Sequence, residues 1–286
     1  MFKSSLIPLS FSLMLMLFTV SGSGELDYPK RANLYNPTDK ILVAAHRGIH
    51  SLYPENSIPA IEECIRKGID IVEIDIRETK DKVPVLMHDA SLQRTTNNNI
   101  KIADLDNEEL KNYPLLFGDE TTEYTIPSLE QALQVAKNRI ILNLDYKLDD
   151  LKALKRAYDL IAKYEMEKWV IVTLNDLDLI PELYKLNPEI RIMPVAFSWL
   201  KINKIIDHEF LDIIQVYHRP YSNYRIHQLE KKELDIWVNA LRKYDKMEKA
   251  GDNGFEKLIY IKKVDMIQTD YPEELLGFLR EKGLHD

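Results

Sequence analysis

The chain has 286 residues, of which 45% are hydrophobic and 29% are charged. This composition is typical of a globular protein with a full apolar core, and the length allows either two small domains or one large α/β domain. The 46 acidic residues outnumber the 38 basic ones, which gives a net charge of −8. That balance argues against nucleic acid or an anionic membrane surface as a partner. A small phosphate-bearing ligand needs only a local positive patch, so the negative net charge does not exclude it.

The N-terminal segment has the layout of a secretory signal peptide. Lys3 supplies a positive charge, residues 6–20 are almost uniformly apolar, and small residues follow at 21–24. A membrane anchor is the alternative, but the apolar run is shorter than the ~20 residues that span a bilayer. We therefore expect residues 1–24 to be removed and the protein to be exported, either to a periplasm or outside the cell. No stable membrane insertion is expected after cleavage, and residues 25–286 should form the folded domain.

From residue 41 onward, short apolar runs alternate with helical patterns, which predicts a parallel sheet with helices between its strands. Eight such units in about 250 residues fit an α/β fold of the (β/α)8 TIM-barrel type. A doubly wound open sheet is the alternative. Asn56 and Ser128 are the predicted N-caps of the helices at 57–67 and 128–138. The predicted strands lie near 41–45, 70–76, 139–145, 169–173, 191–195, 212–217, 235–239 and 264–269.

One further apolar run, 83–88, follows the second strand too closely for a crossover helix, since a parallel connection needs about a dozen residues. An antiparallel hairpin with a two-residue turn is therefore predicted, and its register pairs Asp75 with His88. In that register Glu73, Asp75 and His88 share one face. Residues 89–127 then form a long insertion after the second strand, irregular apart from a short helix near 106–112. Insertions of this length are often functional lids.

Polar residues stand at the ends of several predicted strands. In a barrel the active site forms at the carboxyl ends of the strands, from several strands at once, and unpaired polar groups are poorly tolerated in a core. The polar strand ends are His46 and Arg47, Glu73 and Asp75, Asp145 and Lys147, Asn175, His218 and Arg219, Asn239, and Thr269 and Asp270. This coincidence predicts an enzyme site at that end of the barrel.

Three of these residues, Glu73, Asp75 and Asp145, are carboxylates on neighbouring strands, a donor set that suits Mg²⁺ or Ca²⁺. Ion pairs with nearby arginine and lysine side chains are the alternative use of the three acids. Two histidines, His46 and His88, flank them and could serve as a general base and a general acid, or as further metal ligands.

Arg47 and Lys147 add positive charge suited to a phosphate-like group. A metal, two imidazoles and two fixed cations together suit the cleavage of a phosphodiester. They suit glycoside hydrolysis poorly, because the acids would be held by the metal.

These motifs resemble the glycerophosphodiester phosphodiesterase family. That family shows a His-Arg-Gly, a Pro-Glu-Asn, a Glu-x-Asp strand and a His-Asp in this order, and the match here runs from about residue 41 to 275. The late Trp-Thr-Val-Asn motif of the family is shortened by one residue in this chain. The matching segments are His46-Arg47-Gly48, Pro54-Glu55-Asn56, Glu73-Ile74-Asp75, His88-Asp89, Arg94-Thr95-Thr96, residues 126–130, Trp237-Val238-Asn239 and Thr269-Asp270-Tyr271-Pro272.

The resemblance implies a metal-dependent TIM-barrel hydrolase that converts glycerophosphodiesters to glycerol 3-phosphate and an alcohol, with the insertion covering the glycerol end. By position, His46 and His88 would exchange protons with the attacking and leaving oxygens. The third metal ligand of the family is commonly Glu in a Glu-x-Lys motif, whereas this chain has Asp145. The other implied roles are metal binding by Glu73 and Asp75, phosphate binding by Arg47 and Lys147, and packing against the alcohol by Trp237, which could equally be a core residue.

Several alternatives stay open at this level. The nucleophile could be water or the 2-hydroxyl of the substrate, through a cyclic phosphate. A phospholipase D-like lyase uses a related barrel and histidine pair, but the polar insertion disfavours an enzyme of that type, which should carry an apolar, membrane-facing loop. A non-catalytic phosphodiester-binding protein is the remaining alternative. The sequence does not indicate an oligomeric state.

Overall fold

Eight apolar strand segments form a closed parallel ring in a computed structural model that describes residues 40–148 and 150–286. The ring follows the order β1, β2, β6, β7, β8, β9, β10, β11, and β1 pairs with both β2 and β11, which closes it. The strands are β1 (Leu42–His46), β2 (Ile71–Glu78), β3 (Pro84–Leu86), β4 (Pro114–Phe117), β5 (Glu120–Thr125), β6 (Ile141–Tyr146), β7 (Val170–Leu174), β8 (Arg191–Ala196), β9 (Ile213–Val216), β10 (Asp235–Asn239) and β11 (Met266–Thr269).

Helices alternate with these strands and cover the outside of the ring. The predicted (β/α)8 TIM barrel is thereby confirmed, and the alternative of a doubly wound open sheet is wrong. The helices are α1 (Ile58–Lys67), α2 (Gln93–Thr96), α3 (Leu129–Ala136), α4 (Leu151–Lys163), α5 (Leu179–Leu186), α6 (Trp199–Ile205), α7 (Asn223–Lys231), α8 (Lys243–Lys249), α9 (Gly254–Ile261) and α10 (Pro272–Glu281). The predicted signal peptide lies outside the described residues. Within those residues, no helix is both long and apolar enough to cross a membrane.

Alternation of side chains along each strand separates two apolar cores. In β1, Leu42 and Ala44 belong to the core inside the barrel, while Val43 and Ala45 belong to the core between strands and helices. The inner core fills the amino-terminal part of the barrel and leaves the carboxyl-terminal part to polar side chains. Its members are Leu42, Ala44, Ile71, Ile141, Ile171, Met193, Ile213, Trp237 and Met266.

The start of α1 differs from the prediction in a way that matters for the site. Ser57, not Asn56, is the N-cap, and its hydroxyl accepts a hydrogen bond from the Ala60 amide at 3.3 Å. Asn56 adopts the left-handed conformation, with φ of 54°. Its buried amide is therefore free to bond Asp75 in the neighbouring strand. The N-cap prediction for Ser128 at the start of α3 is confirmed.

The predicted hairpin between β2 and β3 is confirmed, but the predicted register was wrong by one residue. Ile76 pairs with Leu86, and the amide of Met87 donates to the carbonyl of Asp75 at 3.0 Å. The cause is a turn of three residues in place of two, closed by a bond from Thr79 N to Val83 O. Because a shift of one residue exchanges the faces of a strand, pairing does not carry His88 onto the face of Asp75. His88 follows the end of β3 in a loop.

The insertion is a small packed unit with its own apolar cluster. The predicted short helix is confirmed as a 3-10 helix at Asn107–Asn112, whereas the antiparallel pair β4–β5 was not predicted. The cluster joins the insertion to β3, since it includes side chains from both. Its members are Val85, Met87, Leu92, Ile102, Leu105, Leu110, Leu115 and Ile126.

Candidate active site

The three predicted metal-binding acids meet inside the carboxyl end of the barrel. Strands β2 and β6 pair in parallel so that Asp75 lies directly beside Asp145. Glu73 is two residues earlier in β2 and therefore points to the same side. One carboxylate oxygen from each residue lies within 4.8 Å of the other two. The regular pairing of two strands thus brings the three carboxylates together, and no loop residue is needed.

These acids repel one another in a buried setting. Glu73 is only 2% exposed. Burial, followed by the negative charges of Asp75 and Asp145, raises the pKa of Glu73 well above its ordinary value. The Oδ1 atom of Asp145 is buried and has no hydrogen-bond partner among the described residues. The cluster therefore holds more negative charge and more acceptor capacity than its protein neighbours satisfy.

Two cations partly neutralise this cluster. The Lys147 ammonium lies 2.9 Å from Asp75 Oδ1 and 2.5 Å from Asp145 Oδ2, and Arg47 Nε lies 3.1 Å from Asp75 Oδ2. Burial would raise the pKa of Asp75, but Lys147, Arg47 and the Asn56 amide together lower it. The ion pairs considered as an alternative in the sequence are therefore present. They involve two cations against three carboxylates.

A divalent cation suits this set of side chains. All three carboxylates offer oxygen, the donor that Mg²⁺ and Ca²⁺ prefer. One oxygen of Asp145 has no protein partner within the described ranges, and the pKa of Glu73 is raised by burial and by the neighbouring carboxylates. A cation bound between the three acids would satisfy that oxygen and offset their repulsion. The residues fit a metal ion, and they do not discriminate between the two metals.

His46 reaches the acids from the end of β1. Its Nδ1 atom lies 2.7 Å from Asp270 Oδ1, and its Nε2 atom lies 4.0 Å from Glu73 Oε2. Burial would raise the pKa of Asp270, but its hydrogen bonds to His46 and His50 lower it on balance. Asp270 is therefore an ionised carboxylate that holds Nδ1 of the imidazole, so that Nε2 points toward the three acids.

Sequence reasoning placed Asp270 at a strand end but gave it no role. Strands β1 and β11 pair in register so that Ala45 lies beside Thr269, which brings the residues that follow them together. Asp245, at the start of α8, accepts hydrogen bonds from the Thr269 hydroxyl at 2.6 Å and the Asp270 amide at 3.0 Å. Burial raises the pKa of Asp245 to about 6.

His88 forms a second histidine–carboxylate pair. Its Nδ1 atom lies 2.6 Å from Asp89 Oδ1. Arg94 donates to Asp89 at 2.8 Å and to both oxygens of Glu55, at 2.6 and 2.8 Å, and Glu55 in turn accepts from Arg47 at 3.0 Å. Burial would raise the pKa of Asp89, but Arg94 and His88 lower it to about 2. A continuous chain of ion pairs thus connects the His88 loop to Arg47.

Trp237 occupies the inner core, with 0% of its surface exposed. Its indole N–H donates to Asn239 Oδ1 and to Gln268 Oε1, each at 3.2 Å. A side chain in this setting has the surroundings of a core residue, and its contact with a substrate alcohol stays a prediction.

An aromatic shelf, defined as Phe197 and Tyr217, was not predicted. The two residues follow β8 and β9, their rings are 4.4 Å apart between centroids, and they are 44% and 40% exposed. Burial raises the pKa of Tyr217, and the next contribution comes from the charge of Asp145. Because both residues follow ring strands, the shelf lies at the carboxyl end of the barrel, the end that holds the three acids. The signal available in the sequence was one aromatic residue directly after each of two adjacent strands.

The comparison with known sequences agrees with this geometry. The sequence pattern of the glycerophosphoryl diester phosphodiesterase family matches residues 46–269. A glycerophosphodiester phosphodiesterase of Bacillus altitudinis is 31% identical over 157 residues, which cover 52% of this chain and 64% of that protein. A lysophospholipase D of Homo sapiens is 26% identical over 270 residues, which cover 82% of this chain and 85% of that protein.

A similar fold is known from crystallography. The crystal structure of a glycerophosphoryl diester phosphodiesterase from Parabacteroides distasonis superimposes with a TM-score of 0.74 and 28% identity, covering 87% of this chain and 89% of that one. The family pattern extends from His46, the last residue of β1, to Thr269 at the end of β11, so it includes the three clustered acids and both histidines and ends one residue before Asp270. The chain therefore belongs to the glycerophosphoryl diester phosphodiesterase family.

Proposed function

We propose that this protein hydrolyses glycerophosphodiesters to glycerol 3-phosphate and an alcohol, with a divalent metal ion and two histidines. The observation that supports this most strongly is the pair of histidine–carboxylate contacts, His46–Asp270 and His88–Asp89, together with the three-carboxylate cluster of Glu73, Asp75 and Asp145. Each histidine uses Nδ1 for its carboxylate, so that Nε2 is left for the substrate.

Glu73, Asp75 and Asp145 would hold the metal ion. A bound Mg²⁺ or Ca²⁺ supplies a Lewis acid that polarises a phosphate oxygen and lowers the pKa of a coordinated hydroxyl. Arg47 and Lys147, which pair with the same acids, would then face the negative charge of the phosphate, since charge-assisted contacts to phosphate are strong. The cations thus take part both in the stability of the unloaded cluster and in substrate binding.

His46 is the better candidate for the general base. Its Nδ1–H would donate to Asp270, which leaves the lone pair of Nε2 directed toward the side of Glu73. A proton accepted from the attacking hydroxyl makes an imidazolium, and the ionised Asp270 stabilises it. His88, held by Asp89, would deliver a proton to the leaving alkoxide.

The leaving alcohol would lie against the aromatic shelf of Phe197 and Tyr217. Aromatic faces accept both apolar groups and cationic head groups. Leu200, three residues after Phe197 in the first turn of α6, is also apolar and is 77% exposed. This surface supports a second candidate substrate, a lysophospholipid, and the human relative named as a lysophospholipase D agrees with that candidate.

We also propose that the protein acts outside the cytoplasm. The apolar run at residues 6–20, preceded by a positive charge and followed by small residues, supports export. Cleavage near residue 24, measured by N-terminal sequencing of protein recovered from the producing cells, tests this location independently of the activity.

The activity test is a panel of glycerophosphodiesters and lysophospholipids, followed by phosphorus NMR of the products with added Mg²⁺, added Ca²⁺ or a chelator. We expect a monoester product that disappears with the chelator. His46→Ala and His88→Ala should each lower turnover by about 10²–10⁴-fold, whereas His227→Ala, an exposed histidine on α7, should not change it. Near-normal turnover in either catalytic variant contradicts the proposal, and a cyclic phosphate as the final product identifies the lyase.

A further inference from the structure

A second cluster of basic side chains lies outside the barrel, between α7 and α9. A cavity of about 430 Å³ separates the two helices. Its wall combines apolar and aromatic side chains with three charged ones. Its lining includes Tyr221, Ile226, Glu230, Ile259, Lys262 and Lys263.

Lys262 is the unusual member of this wall. The residue is only 4% exposed, and no ion pair or hydrogen bond of its ammonium is present in the described part of the chain. The ammonium lies 4.7 Å from the ring centre of Tyr221 and 5.8 Å from that of Tyr244. Ring faces attract a cation but do not replace a counter-ion. A buried ammonium that lines a cavity without a carboxylate is an incomplete arrangement.

The acidic residue of the same cavity does not complete it. Glu230 pairs with Lys263 through one oxygen and lies 3.4 Å from His227 Nδ1 through the other. Its charge is therefore already opposed by Lys263 on the rim, and Lys262 gains no partner from it.

Neighbouring groups add positive charge and a hydrogen-bond donor. The Lys243 ammonium lies 4.9 Å from the ring centre of Tyr244, the ring that Lys262 also faces. The Tyr244 hydroxyl is buried and has no hydrogen-bond partner among the described residues. Burial, followed by the charge of Lys243, lowers the pKa of Lys262 to about 8. Burial and then Lys262 and Lys243 lower the pKa of His218. Two lysine ammonium groups, those of Lys243 and Lys262, thus face one tyrosine ring in a protein whose net charge is negative.

We propose that this cavity is a binding site for a small organic anion, whose charged group pairs with Lys262 and whose apolar part contacts Ile226 and Ile259. The class includes phosphate monoesters with a short alkyl chain. Ile226 and Ile259 supply the apolar wall on α7 and α9. This site is separate from the three acids and does not depend on the proposed hydrolysis.

The test is calorimetric titration of the full chain with n-butyl phosphate in the presence of a chelator, so that no metal ion contributes to binding. We expect one saturable site that Lys262→Met weakens by at least tenfold, since Met keeps much of the volume and removes the charge. Lys257→Met, an exposed lysine on the same helix α9, should bind as the wild type does. Inorganic phosphate should bind about tenfold more weakly than n-butyl phosphate, because it lacks the alkyl contacts.

Ile226→Trp provides an independent test, because it fills the cavity and leaves Lys262 in place. It should also weaken n-butyl phosphate by at least tenfold. Equal affinities of the wild type and Lys262→Met would overturn the proposal and would mean that the two tyrosine rings alone stabilise the ammonium. Equal affinities for inorganic phosphate and n-butyl phosphate would overturn the assignment of the apolar wall.

Discussion

The two candidate histidines share one local arrangement, in which a carboxylate binds Nδ1 and Nε2 makes no contact with that carboxylate. The carboxylates come from different places: Asp89 is the next residue in the chain, whereas Asp270 lies 224 positions after His46. Neither carboxylate is among the three acids that would bind a metal. We treat both as positioning residues.

Asp270→Asn should lower kcat by about 10²–10⁴-fold, because the amide cannot stabilise the imidazolium of His46 and favours the wrong tautomer. KM should change little, since Asp270 makes no contact with the three acids or the two cations. Steady-state kinetics of purified variants check this, with circular dichroism as a control for folding. Asp270→Glu, which keeps the charge, should recover part of the loss. A fall in kcat that Asp270→Glu and Asp270→Asn share equally would indicate a purely structural role.

The third acid carries the departure of this chain from the common family motif. Asp145→Asn should weaken binding of Mg²⁺ or Ca²⁺ by about 10²-fold, because one of three charged ligands is neutralised. Asp145→Glu restores the charge with one more methylene and should stay within about tenfold of the wild type. Calorimetric titration with each metal measures both. Unchanged affinity in Asp145→Asn would show that the ion binds elsewhere.

At the scale of elements, the eight ring strands were predictable because each is a short apolar run bounded by helical patterns. The register of the β2–β3 hairpin was not, because a turn of two residues and a turn of three leave the same apolar pattern. Strand β5 escaped prediction since Glu120–Thr125 is polar and largely exposed, so no alternation marks it. The site acids followed from strand pairing alone, while the role of Asp270 required the ring to close.

The turn between β1 and α1 is the element on which the site depends most. Gly48 has φ of 79°, and a Cβ atom there would approach the Cβ of Ala60 to 2.8 Å. Arg47, just before it, also has a positive φ, of 57°. These two residues at positive φ turn the chain so that the Arg47 amide can donate to Glu73 at 3.0 Å.

Gly48→Ala should therefore lower both stability and turnover. The φ strain and the contact with Ala60 together should reduce the free energy of unfolding by about 2–4 kcal/mol, as measured by denaturant titration. Displacement of His46 and Arg47 should reduce kcat at temperatures where the variant is still folded. Gly118→Ala is the matched control, because that glycine also has a positive φ, of 62°, but no atom within 4 Å of the added Cβ. It should cost about 1 kcal/mol and leave kcat unchanged.

At the scale of the whole molecule, the ring is closed where β11 meets β1, and Asp245 links that junction to α8. It accepts from Thr269 and from the amide of Asp270, the residue that holds His46. Because burial raises the pKa of Asp245 from 3.8 to about 6, its carboxyl is more readily protonated in the folded chain than in the unfolded one. The protonation of Asp245 should therefore affect both the stability of the fold and the position of Asp270, which contacts His46.

The sign of the pH effect follows from that shift. Between about pH 4 and pH 6 the folded state holds a proton on Asp245 that the unfolded state has lost, so this group makes the protein less stable as the pH rises. Above pH 6 both states are ionised and the contribution is constant. Asp245→Asn is neutral throughout. Relative to the wild type, its free energy of unfolding should therefore rise by up to about 3 kcal/mol between pH 4 and pH 7.

Denaturant titrations of both proteins at several pH values measure this difference, in which the contributions of other titrating groups largely cancel. Asp252→Asn, in the exposed connection between α8 and α9, should show a difference from the wild type that does not vary with pH. A pH-independent difference for Asp245→Asn as well would mean that the Thr269 and Asp270 donors keep the carboxylate ionised in the fold. In that case the pKa of Asp245 in the fold would not lie above its ordinary value, and its charge would not destabilise the junction of β11 and β1 between pH 4 and pH 7.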